Sequence, residues 1–169
     1  SNDSSVYGSA ANMNVTSASY LMSDNATIVN LTSNLSLSNG LYSVQDGAGS
    51  SASFNLGLTN ATLSHSGQTS VGVWNVGYSN LNKSGPNFLN MTVTGTETVT
   101  AKAINVSATA ANREYNGSTN ATMSLTSADV ITGDNISYAY SSATFASKTT
   151  ETNKSVSIAN ISLAGSDGH

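Results

Sequence analysis

Apolar and polar residues alternate along this chain with a period of two, and that alternation restricts it to β structure. In Ser53-Phe54-Asn55-Leu56-Gly57-Leu58 it places Phe54, Leu56 and Leu58 on one face of a strand. Ile136, Tyr138 and Tyr140 alternate in the same way, as do Val156 and Ile158. The phase slips by one between Ile158 and Ile161, and again between Leu58 and Ala61. A β-bulge near Ala159 and Asn160 would account for the first slip. Thr, Ser and Asn hold positions that Ala, Glu, Lys and Leu fill in helices, so no significant helix is expected. Asn39-Gly40 and Asn116-Gly117 read as tight turns, because both residue types tolerate positive φ.

The surface such strands present is nearly free of charge. Only 8% of the 169 residues are charged, where roughly a quarter is usual in a soluble protein. The β-branched and aromatic content still argues for a folded chain and against disorder. Five Lys and Arg make no basic patch, so nucleic acid is not an expected partner. No apolar run reaches the ~20 residues of a membrane span. With no cysteine there is no disulfide framework. The opening Ser1-Asn2 carries no signal-peptide pattern, and the chain is expected to be an excised piece of a longer one.

A faint internal repeat divides the chain. Asn25-Ala26-Thr27 leads into Ile28-Val29-Asn30-Leu31, and Asn120-Ala121-Thr122 leads into Met123-Ser124-Leu125. Each follows a Tyr-containing turn, at Tyr7-Gly8 and at Tyr115-Asn116-Gly117. Residues 78–88 match 159–169 in shape, and the first copy is expected to continue as a strand from Phe88 to Thr94. The reading is all-β: two tandem small antiparallel modules of sandwich or extended-sheet type, at 1–98 and 99–169, the second lacking its last strand.

From Val99 onward the residues resemble the YDG repeat of large secreted bacterial adhesins. The resemblance rests on Thr100-Ala101-Lys102-Ala103-Ile104, then Arg113 to Thr122, Gly133-Asp134-Asn135-Ile136, Ser142 to Lys148 and Leu163-Ala164-Gly165-Ser166-Asp167. Asn116 stands where the family's name-giving motif has Asp, and it serves a turn as well. Residues 1–98 resemble the related MBG module more loosely, through Tyr7-Gly8 and Gly40-Leu41-Tyr42-Ser43-Val44. The resemblance implies a filamentous-haemagglutinin-like adhesin of a Gram-negative surface, exported by two-partner secretion through an outer-membrane partner. It further implies host-cell glycans or glycoproteins as receptors and modification by an asparagine glycosyltransferase.

The asparagines bear on that last implication independently. Asn-x-Ser/Thr begins at Asn14, Asn25, Asn30, Asn34, Asn60, Asn82, Asn90, Asn105, Asn116, Asn120, Asn135, Asn153 and Asn160, and also at Asn2. None has Pro in the middle, and chance placement predicts about 6 sequons. Residues i and i+2 share a strand face, so an outer face of Asn, Ser and Thr would raise that expectation to ~10 without any selection.

Catalytic and metal constellations are scarce, and neither enzyme activity nor a cofactor is expected. His65 sits among serines that make any Ser/His/Asp pairing uninformative, and His169 is the only other imidazole. Asp129 and Asp134 flank Gly133, where a weak calcium site competes with ordinary turn chemistry. For glycan binding, Trp74, Tyr78 and Tyr42 offer aromatic faces, with Gly72 and Gly77 leaving room at the backbone. Trp74 equally suits a core. Arg113, the only Arg, suits either a sugar carboxylate or a turn. The chain is read as an adhesin segment that either contacts host glycans or serves as a passive stalk.

Overall fold

The computed structural model describes residues 2–22, 24–88 and 90–168 and divides them into two units. One runs to Thr62 and resumes over Thr69–Thr100; the other joins Leu63–Gln68 to the residues from Ala101 onward. The expected boundary at 98/99 falls within a strand of the first unit. Among the described residues all the regular structure is strand apart from one 3-10 turn at Thr32–Asn34.

The first unit is built on a six-stranded sheet. Its strands are β1 (Asn2–Val6), β4 (Leu35–Ser38), β5 (Leu41–Gln45), β6 (Ser51–Thr59), β7 (Gly72–Ser84) and β8 (Thr96–Thr100), in the order β1-β8-β7-β6-β5-β4. A hairpin of β2 (Ser19–Leu21) and β3 (Ile28–Asn30) forms a separate two-stranded sheet. Every pairing is antiparallel except β1 with β8, which is parallel. No hairpin turn links those two, so turn geometry does not impose a direction on them.

Asparagine supplies the backbone reversals. Asn39 and Gly40, at φ +48° and +76°, form the two-residue link that sets Ser38 opposite Leu41. Ser53 faces Asn82 but Asn55 faces Ser79, so β7 holds one extra residue there, and Asn80 takes φ +52° to accommodate it. Asn60 (φ +58°) ends β6 and accounts for the slip after Leu58. The bulge expected near Ala159 and Asn160 is absent in that form. β13 (Val156–Ala159) stops, Asn160 turns left-handed at φ +53°, and β14 (Ser162–Ala164) joins a different sheet.

Leu31, Val44, Ala52 and Phe88 form the buried core of the first unit, with Ala18, Tyr20, Val29 and Leu35 packed against it. Tyr20 meets Phe88 edge-on at 5.8 Å between ring centroids. The described residues of 88–94 form no strand, contrary to the expectation; Phe88 is buried in the core instead, and Leu89 lies outside the described residues.

The second unit pairs β9 (Ser107–Ala110) with β10 (Met123–Thr126), β12 (Ser142–Phe145) with β13, and β11 (Ser137–Ala139) with β14, all antiparallel. Both copies of the Asn-Ala-Thr repeat lead into strands, β3 and β10. Tyr138, Tyr140, Val156 and Ile158 point inward as the alternation implies but stay half-buried, and Ala143 is the one hydrophobic side chain of this unit, among the described residues, that is fully buried.

Phe54 is 5% exposed and stacked on Tyr42. Phe54→Ala should cost about 3 to 5 kcal/mol. Urea unfolding followed through Trp74 fluorescence checks this, with Leu37→Ala on the exposed edge as a near-neutral control.

Candidate functional site

Strand register places most of the candidate aromatic residues on one face of the six-stranded sheet. Tyr42 lies opposite Phe54, Leu56 opposite Tyr78, Leu58 opposite Val76, and Trp74 opposite Glu97. Tyr42 is withdrawn from solvent. Its ring stacks on Phe54 at 5.6 Å, and its hydroxyl accepts from the Val15 N–H at 3.3 Å and donates to the Met13 carbonyl at 3.4 Å. Buried beneath the 13–15 segment, Tyr42 cannot serve as a sugar platform.

Trp74 is half-buried, and its Nε1–H donates to the Ser70 carbonyl at 2.8 Å. The glycines flanking it are closed by protein, not open to a ligand. A Cβ on Gly72 would meet the Trp74 ring at 3.2 Å, and one on Gly77 would meet the Thr59 methyl at 2.4 Å. Tyr78, two positions beyond Val76 on the same face, is 40% exposed and donates to the Met91 carbonyl.

Arg113 belongs to the second unit and braces the Tyr115 turn. Its guanidinium donates to the Asn116 side-chain oxygen and to the Ser118 carbonyl, and lies 5.1 Å from the centre of the Phe145 ring. The Asn116 oxygen also accepts from the Ser118 N–H, and Gly117 takes φ +72°. Of the two roles open to Arg113, the contacts are those of a turn brace.

In the same unit His65 does meet a serine and an aspartate. Its Nδ1 lies 3.0 Å from Asp167 Oδ2 and 3.1 Å from Ser166 Oγ. A catalytic triad uses the two ring nitrogens separately, one for the nucleophile and one for the carboxylate. Here both partners address one nitrogen, so the cluster fastens the 64–68 turn to the 165–168 turn. Asp167 completes that fastening by accepting from the Asn135 N–H at 2.8 Å. His169 lies outside the described residues.

Asp129 does not stand open for calcium. Its Oδ2 accepts from the Asn105 N–H at 2.8 Å and from the Asn105 amide at 3.0 Å, while Lys102 donates to its carbonyl. Those bonds from Asn105, with the Lys102 charge, lower the carboxyl below its ordinary value. The Asn87 amide does the same to Asp46, aided by N–H groups of Ser50 and Ala48. Asp24 is held at about 2 by the Thr27 hydroxyl and the Thr27 and Ala26 N–H groups. Among the described residues no three His, Cys, Asp or Glu side chains converge on one point.

One side chain escaped the sequence reading. Glu97 is fully buried, 0% exposed, and neither carboxylate oxygen has a hydrogen-bond partner. Its neighbours in register are Trp74 on β7 and Asp3 on β1. Like charges directly opposite each other are unfavourable, and an unpaired buried carboxylate costs several kcal/mol. The signal was present: Thr96-Glu97-Thr98-Val99-Thr100 alternates, which puts Glu97 on the face of Val99.

All fourteen sequon asparagines are exposed. Four of them (Asn25, Asn60, Asn153 and Asn160) sit at positive φ, where Asn is favoured for backbone reasons alone. The amide nitrogens of Asn14, Asn34, Asn105 and Asn160 are engaged in hydrogen bonds.

The class defined by these features is an all-β protein of small strand-paired units with an exposed Ser/Thr/Asn surface. Residues 100–169 match the family model of the YDG domain. The match takes in less than half of the chain and coincides with the second unit apart from its Leu63–Gln68 segment. No curated protein and no solved structure matches the chain.

Carboxyls lowered in the fold stabilise it while ionised, and that contribution disappears as pH falls through their native values. The turn at Asp24 should hold from neutral pH down to about 4 and loosen as pH approaches about 2. NMR amide shifts of Ala26 and Thr27 should titrate with a midpoint near 2 instead of the ordinary 3.8. Asp24→Asn should remove that titration.

Proposed function

We propose that this chain is a stretch of a secreted bacterial surface adhesin in which it acts as a spacer, carrying asparagine-linked sugar, while host-cell attachment is made elsewhere in the longer protein. The match of residues 100–169 to the YDG domain supports the adhesin assignment. The observation that carries the spacer reading is a contrast in availability. Tyr42, Trp74 and Arg113 are committed to internal contacts, whereas every sequon asparagine is exposed. A charge-poor surface of hydroxyls and amides is weakly interacting, which suits a stalk. Attached sugar would add the solubility that charge usually supplies.

A second reading, direct contact with host glycans, draws on one specific feature. Tyr78 and Trp74 share a sheet face, and Tyr78 keeps an exposed ring.

Expression with the native asparagine glycosyltransferase and the outer-membrane secretion partner tests the proposal. Intact mass should exceed that of the bare polypeptide, with glycopeptides mapping to exposed sequons such as Asn82, Asn120 and Asn135. The unmodified folded chain should be silent on a glycan array. A mass equal to the polypeptide removes the sugar coat from the proposal. Array signal that disappears in Trp74→Ala replaces the spacer reading with a receptor-binding one.

A further inference from the structure

We infer that Glu97, Asp3 and Ser5 form a binding site for a hard divalent cation of the calcium type inside the first unit. Glu97 is fully buried with both oxygens unpartnered, and the Ser5 hydroxyl oxygen is also buried without a partner. Asp3 stands directly across the parallel ladder from Glu97, and Ser5 lies two residues along β1, on the same face. Two carboxylates and a hydroxyl therefore border one space on that face, Glu97 wholly withdrawn from water and Asp3 half-buried.

The surroundings enclose that space. Trp74 flanks Glu97 on the opposite strand, and the Asn14 N–H donates to Asp3 Oδ2 at 3.3 Å. The Tyr42 hydroxyl ties the 13–15 segment over the same sheet face. A divalent cation would supply the partner that Glu97 lacks.

The donor set selects the ion. It contains oxygen alone, which suits calcium or magnesium over zinc or copper. Bidentate Glu97, Asp3 and the Ser5 hydroxyl supply four oxygens, and calcium tolerates irregular geometry with water and main-chain oxygen completing its shell. Magnesium demands a regular octahedron and gives up water reluctantly, so calcium is the better match.

Trp74 is the only tryptophan of the chain, and its place beside Glu97 makes it a reporter. Tb3+ added to the whole chain should luminesce when the indole is excited at its red edge, where tyrosine does not absorb. Excess Ca2+ should quench that emission by displacement and raise the melting temperature of the first unit. Glu97→Gln should abolish the emission and the calcium-dependent shift while keeping the β-sheet circular dichroism. Should Glu97→Gln fail to fold, Asp3→Asn on the edge strand takes its place with the same expectation. The inference is overturned by absent emission with a melting temperature indifferent to Ca2+, by emission that survives in the folded variants, or by stability that responds to acidification alone, which would mean a proton between the two acids.

Discussion

Strand β7 is the member on which the six-stranded sheet depends. It pairs with β6 over residues 75–84 and with β8 over 72–75, so both halves of the sheet are bonded through it. A bulge lets a strand that long bend to stay paired on both sides. The extra residue at Asn80 bends it and sharpens its local twist, and the Asn80 amide bonds to Asn55 on the neighbouring strand at 3.1 Å. That adjustment keeps Leu56 opposite Tyr78 and Leu58 opposite Val76 below it while Phe54 still reaches Tyr42 above. One left-handed asparagine thus joins the apolar and acidic parts of a single face.

Along that face the environment changes from hydrocarbon to carboxylate. Val44 and Ala52 are covered by the β2–β3 side of the unit, where Tyr20 and Phe88 meet, and Phe54 stacks on Tyr42. At the other end Glu97 and Asp3 lie side by side with Trp74 as neighbour. The same short segment, residues 13–15, is held at one point by the Tyr42 hydroxyl and at another by Asp3.

The second unit is held together differently. Its sheets are two-stranded and its side chains half-buried, so hydrophobic burial contributes less per residue than in the first unit. Specific polar ties take a larger share: Arg113 to the Asn116 turn, Lys102 and Asn105 to Asp129, and His65 to Asp167. Residues that looked like candidate ligand contacts, read one at a time, are in this unit the fasteners of turns. The region matching the YDG domain is thus one in which turn chemistry carries much of the structure.

The sequence by itself determined the all-β class and the faces of several strands, though not the fate of residues 88–94. Period-two alternation is a local property, and it correctly assigned Phe54, Tyr138, Tyr140, Val156 and Ile158 to inner faces. Turn chemistry was legible at Asn39-Gly40 for the same reason, since φ preference belongs to the residue itself. What could not be read were the partners. The alternation that identified β8 said nothing of β1 lying parallel beside it, because strands far apart in sequence pair through no local signal. For that reason Glu97 drew no notice in the sequence, although it is the most deeply buried side chain among the described residues. Tyr42 and Arg113 were recognisable as chemically capable, but only tertiary packing decided that one lies under residues 13–15 and the other grips its own turn. Exposure of the sequons falls between these cases: strand alternation predicted it for those in strands, while left-handed positions such as Asn60 and Asn160 needed the folded backbone.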